Sequence, residues 1–137
     1  MTPPKEIVRQ VRERARGRCE YCRMHESLQG ATFHAEHVAP RSRGGEATVE
    51  NLAWACPGCN LAKADRAEAV DPETGLAAAL FNPRKDVWSQ NFRWEGHEVV
   101  ALTPVGRATV GALDLNRPRR LLIRQAEQIF GLFPPRS

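Results

Sequence analysis

Apolar positions recur at helical spacing at the start of the chain. Ile7, Val8, Val11 and Ala15 fall on one stripe, and Arg9, Arg12 and Arg16 fall on another. The pattern predicts a helix over residues 2–16, with Thr2 as its cap, Pro3 or Pro4 in its first turn and Gly17 at its end. Residues 23–31 are polar and turn-like. Thr32–Val38 and Leu52–Ala55 then read as two short strands, separated by a Pro40–Glu46 turn in which Gly44 and Gly45 supply backbone freedom. Helical spacing returns over Pro57–Ala69, with Pro57 suited to a first turn.

Beyond the turn signal Asp71-Pro72-Glu73-Thr74-Gly75 the chain changes character. Leu80–Arg84 and Trp88–Phe92 read as apolar anchors in irregular backbone. Phe92–Glu95 and Glu98–Leu102 read as a hairpin turning at Gly96-His97. Thr103 and Pro104 begin a helix to about Leu113. Asn116 caps a last helix that contains Pro118, carries Leu122, Ala126, Ile129 and Phe130 on one side, and stops before Gly131. The expectation is an α+β fold, with residues 1–70 as core and residues 71–137 as an extension packed on it in one compact domain. No repeat or low-complexity segment interrupts this order.

Composition narrows the picture only modestly. The 137 residues fit one domain with a modest core. No run is apolar enough for a membrane span, and the polar start lacks the apolar stretch of a signal peptide, so the expected location is the cytoplasm. Lysine and arginine leave a net charge of +4. That surplus is mild for a chain of this length. Net charge therefore decides little, and the placement of the arginines matters more.

The cysteines say more. Cys19-Glu20-Tyr21-Cys22 and Cys56-Pro57-Gly58-Cys59 are two Cys-x-x-Cys pairs with 33 residues between them. Each pair spans one tight turn, so both sulfurs of a pair can face one ion, and two such turns complete a tetrahedron. Four thiolates leave no open position, which makes the expected zinc structural. The competing readings are redox dithiols or disulfides. An intracellular setting and the lack of a thioredoxin-like βαβ pattern argue against both.

Between and beside the cysteines lie Glu36-His37, Asn51 and Asn60. Phosphodiester cleavage requires an activated water, neutralisation of charge on the phosphate and help for the leaving oxygen. His37 is a natural base at neutral pH. Glu36 and the Asn60 carboxamide are hard oxygen donors suited to a partly hydrated Mg²⁺ or Mn²⁺. Asn60 follows Cys59 directly, which places it at a helix start whose N-terminus would face the phosphate. His34, in phase with Glu36, is a further or rival ligand or simply a surface histidine. Adjacent strand residues face opposite sides, so Glu36 and His37 converge only where the strand ends or bends.

Residues 14–66 resemble the HNH endonuclease family through Glu36-His37, the PRSRGG turn, Asn51 in NLxxAC, and Cys59-Asn60. The resemblance implies a ββα-metal core with zinc knuckles, elaborated here by a C-terminal hairpin and two helices. It further implies that Glu36 and Asn60 bind the catalytic metal, that His37 activates water, that Asn51 holds the His37 loop, and that the products carry 5′ phosphate and 3′ hydroxyl ends. Glu36 is one methylene longer than the family's usual Asp. The tail resembles one bacterial branch of the family through DPETG, LFNPR, the FRW strand and TPVGRATV.

Arg41, Arg43 and Lys63 flank this constellation as expected phosphate contacts, with solvated loop residues as the plain alternative. Trp54, Trp88, Phe92 and Trp94 read as core, with base stacking as the alternative. His25 and His97 receive no chemistry. The expected partner is double-stranded DNA bound with little sequence preference; RNA, and the oligomeric state, stay open. A zinc-ribbon module that binds without cutting is the competing function, and a nuclease-like toxin with an immunity partner would share the same site.

Overall fold

The computed structural model describes residues 3–136; Thr2, the expected cap of the first helix, lies outside them. Helix α1 (Lys5–Arg14) buries Val11 against the first hairpin and ends where Arg16 and Gly17 take positive φ. Cys19 and Cys22 follow in a tight turn. Strands β1 (His34–His37) and β2 (Leu52–Ala55) pair antiparallel, in a register running from His34 opposite Ala55 to His37 opposite Leu52. Every residue of β2 is buried, whereas β1 is only partly covered. Helix α2 (Pro57–Lys63) closes a β-β-α unit.

Helix α2 is shorter than its sequence suggests. Alanine-rich sequence favours helix, but Ala64 takes φ 51° and the chain turns out. Residues Glu68–Val70 form β3, paired with β4 (Ala77–Ala79) around the Asp71–Gly75 turn. Asp71 organises that turn. Its carboxylate accepts from the Glu73 amide and the Thr74 hydroxyl, and the Arg107 guanidinium forks onto both oxygens at 2.9 and 2.8 Å. The Arg107 guanidinium holds the Asp71 carboxyl well below the usual carboxylate range.

The rest of the extension comprises a single helical turn α3 (Trp88–Asn91), the hairpin β5 (Phe92–Glu95) and β6 (Glu98–Ala101), and helices α4 (Pro104–Leu113) and α5 (Pro118–Ile129). Thr103 caps α4 by accepting from the Gly106 amide at 3.0 Å. Asn116 does not cap α5. Its carboxamide closes on Val99 instead, accepting from the amide at 2.7 Å and donating to the carbonyl at 2.8 Å, and Arg117 takes the cap position.

The inward face of α5 is the reverse of the expected one. Leu122, Ile129 and Phe130 are exposed, at 64%, 82% and 69%, while Arg120, Arg124 and Glu127 are buried. Their surroundings account for this inversion. Arg124 donates to the carbonyls of His97 and Leu115 at 3.0 and 2.8 Å, and Glu127 accepts from the His25 amide at 2.6 Å. This side of the first knuckle presents backbone groups that need polar partners, and apolar side chains could not satisfy them.

A run of aromatic contacts joins the two halves: Tyr21 with Phe81, Phe81 with Phe92, Phe92 with Trp88, and Trp88 with Trp94. The Trp88 indole donates to the Tyr21 carbonyl at 3.0 Å. Trp54 and Phe92 are buried in the core, which removes base stacking as their role. Trp88 and Trp94 are half-buried in the same run.

Thr109 is fully buried; its hydroxyl accepts from the Phe81 amide at 2.9 Å and donates to the Val105 carbonyl at 2.7 Å. Thr109→Val keeps the shape and leaves the Phe81 N–H without a partner. The expected loss is about 1–3 kcal/mol in urea unfolding with an unchanged m-value.

Candidate metal centre and candidate active site

The ligating atoms of Cys19, Cys22, Cys56 and Cys59 all lie within 4.8 Å of one another, and all four residues are buried. Tetrahedral zinc with Zn–S bonds of about 2.3 Å sets its sulfurs roughly 3.8 Å apart. The Cys22 and Cys56 sulfurs are 3.8 Å apart, so the set fits a zinc ion, and no disulfide joins the four. Cys56 also caps α2 by accepting from the Cys59 amide at 3.3 Å. The N-terminus of α2 is therefore directed at the sulfurs, not at a phosphate as its sequence suggests.

Four thiolates and one Zn²⁺ leave a net charge of about −2 on the cluster. The buried Arg120 guanidinium answers it, with Nη1 3.1 Å from the Cys59 sulfur and 3.8 Å from that of Cys56. Its second nitrogen donates to the Leu113 carbonyl at 3.1 Å, which fixes the fork. Sequence spacing could not single out this residue, because 61 positions separate it from Cys59.

The β1–β2 connection is built around Asn51. Its Oδ1 accepts from the Ala39 amide at 2.9 Å, and its Nδ2 donates to the Ala39 and Glu46 carbonyls at 3.1 and 2.9 Å. Both ends of the turn after His37 are thereby held by one side chain. The glycines are required here. Gly44 takes φ 84°, and a Cβ on Gly45 would lie 1.7 Å from the Ala39 oxygen.

His37 is half-buried at the end of β1, and Arg41 Nε lies 3.4 Å from its Nε2. That distance is long for a hydrogen bond, so the guanidinium lies beside the ring without tying it down. Burial and the Arg41 charge both lower the His37 pKa and favour the neutral imidazole. Arg41 and Arg43 are exposed on the turn. Helix α2 reaches the same place from the other side, where Lys63 Nζ donates to the His37 carbonyl at 3.1 Å. Asn60 is three residues earlier on α2, hence on the Lys63 face, and is half-buried.

Glu36 occupies a different environment. Its side chain is 3% exposed, Tyr21 donates to Oε2 at 2.7 Å, and Lys63 Nζ lies 2.7 Å from Oε1. Burial raises its pKa, against the opposing pull of Lys63 and Tyr21. Lys63 and Glu36 thus form a buried ion pair. The expectation that Lys63 is a surface phosphate contact is corrected: it is 1% exposed and serves the interior. The pair bridges β1 and α2. His34 is exposed at the far end of the strand, and among the described residues the four cysteines are the one His, Cys, Asp or Glu group that converges as a metal site.

The model of the HNH endonuclease family matches residues 19–66, which takes in both knuckles, the His37 loop and α2. The match covers about a third of the chain. No curated protein and no solved structure matches the chain. HNH nucleases act on nucleic acids, and the four-cysteine centre within the matched segment is clamped by an arginine from outside it.

Two measurements check this geometry. Arg120→Gln is expected to speed zinc transfer to a colorimetric chelator roughly tenfold, in line with the cost of losing a partner to a metal ligand. Asn51→Ala removes three hydrogen bonds. It is expected to lower unfolding free energy by about 2–3 kcal/mol while zinc stays at one per chain.

Proposed function

We propose that the chain is a metal-dependent endonuclease that hydrolyses DNA phosphodiester bonds, with His37 as the general base. The observation that carries the reading is the His37 imidazole itself. Burial and Arg41 lower its pKa, it stands at the end of β1 before the Asn51-tied turn, and it lies within the segment that matches the HNH model. His37 takes a proton from a water whose oxygen attacks phosphorus, the P–O3′ bond breaks in line, and the departing oxygen is protonated from solvent. Arg41, beside the ring, and Arg43, exposed on the same turn, suit the phosphate oxygens. The end products, 5′ phosphate and 3′ hydroxyl, follow from the family resemblance.

The reading includes a catalytic Mg²⁺ or Mn²⁺. Asn60 and the Glu36 carboxylate are the donors that would hold it, with water and substrate completing the shell, and the ion would neutralise charge on the phosphate. A cytoplasmic setting suits four reduced thiols, and among the described residues no helix is long and apolar enough to cross a membrane.

One observation favours a second reading. Lys63 already supplies a cation to Glu36, as a zinc-stapled binding module without catalysis would require. Plasmid nicking with and without added Mg²⁺ or Mn²⁺ separates the two. The nuclease nicks only with the metal, and His37→Ala lowers the rate roughly 10²–10⁴-fold while still binding DNA; a binding module nicks under no condition. Because the His37 pKa is lowered, the acid limb of the rate profile is expected below the ordinary histidine value of about 6.5. A limb above that value would contradict the assignment.

A further inference from the structure

The arginines divide by what holds them. Arg9 pairs with Glu6 and Glu13, Arg12 with Glu26, Arg107 with Asp71 and Arg117 with Asp114, so those charges are neutralised within the protein. The basic stripe expected along α1 is thus largely cancelled at Arg9 and Arg12. Arg14, Arg18 and Arg23 are held differently. Arg14 donates to the Val49 and Leu52 carbonyls at 2.8 and 2.6 Å, and Arg18 donates to the Arg23 and Leu132 carbonyls at 2.8 and 2.5 Å. Arg23 lies over the Trp88 ring, 5.5 Å from its centroid. Carbonyls and ring faces orient a guanidinium without cancelling its charge.

These three arginines, with Arg16 and Arg136, line one open groove of about 580 Å³ between the end of α1, the first knuckle and the end of the chain. Glu20 and His25 are the other titratable groups on its wall. Glu20 is already paired with Arg84, and burial and Arg18 lower the His25 pKa. Five arginines against one already paired carboxylate leave the groove wall with an excess of positive charge. After burial, the charge of Arg84 lowers the Arg14 pKa, whereas Glu20 and the first-knuckle cysteines raise that of Arg23 against the smaller opposing effect of Arg18. Beyond Arg23 and Arg136 the surface continues into a recess that adds Arg93 beside Trp88 and Trp94.

We propose that this groove is a track for the sugar–phosphate backbone of a nucleic acid, separate from the turn that carries His37 and leading towards it. Guanidinium forks match phosphate oxygens, and orienting them beforehand reduces the ordering cost of binding. The track starts beside the site: the Leu52 carbonyl that holds Arg14 belongs to the residue paired with His37 across the hairpin. The identity of the ligand rests on the nuclease reading; the existence of an anion track rests on the groove alone.

The test is binding of a labelled 20-base-pair DNA duplex to the zinc-loaded full chain, without added divalent metal, over a range of salt concentrations. Arg16→Gln with Arg136→Gln removes two exposed charges from the groove, and Arg9→Gln with Arg12→Gln removes two from the neutralised stripe. The groove pair is expected to weaken binding roughly tenfold or more and to reduce the logarithmic salt slope by about 2. The stripe pair is expected to stay within about twofold of the parent. Equal losses from both pairs, or no loss from the groove pair, overturn the proposal. Hydrolysis of bis(p-nitrophenyl) phosphate, too small to span both places, reports on His37 alone and is expected to be unchanged in the groove pair. If no variant hydrolyses any diester but the groove pair still loses duplex binding, the nuclease reading fails and the track stands. If the parent cuts and the groove pair binds and cuts as the parent does, the track fails alone.

Discussion

Convergence of four sulfurs within 4.8 Å is the constraint on which the rest of this structure depends. It joins the turn after α1 to the turn after β2, and so fixes the start of α2. The stability associated with such a zinc is of order 10 kcal/mol, comparable with the whole stability of a domain this size. The same convergence creates a charge that must be answered, and Arg120 answers it from α5. The extension is thus tied to the metal electrostatically as well as by packing.

That link explains the inverted face of α5. A helix packed on an apolar core presents leucine and isoleucine; one packed on thiolates and backbone carbonyls presents arginine. Arg120, Arg124 and Glu127 each meet a specific group of the knuckle or of the adjoining backbone, and Leu122 and Ile129 are left outside. Periodicity locates the helix over residues 118–129, but the side it buries depends on what it faces, and the local sequence does not contain that information. The hairpin of β3 and β4 was hidden for a related reason, since its alanines favour helix and the Asp71–Arg107 fork that ties its turn to α4 spans 36 residues.

Other features were legible because short-range chemistry dictates them. Two Cys-x-x-Cys turns define a metal site almost irrespective of context. The paired glycines of the turn after His37 are legible too, because an added Cβ would collide with the Ala39 oxygen. The role of Lys63 was not legible. Sequence places it as a phosphate contact, whereas the fold buries it against Glu36 at 2.7 Å. A carboxylate and an ammonium on facing elements pair when the space between them excludes water, and burial of that kind is set by tertiary packing.

Native-state hydrogen exchange with zinc bound and with zinc removed tests this account most directly, read at the amides of β1, α2 and α5. If one cluster organises both halves, removing the ion should strip protection from all three elements together, α5 included. Retention of protection in α5 after β1 and α2 have opened would contradict it, because the extension would then stand without the metal it is said to clamp.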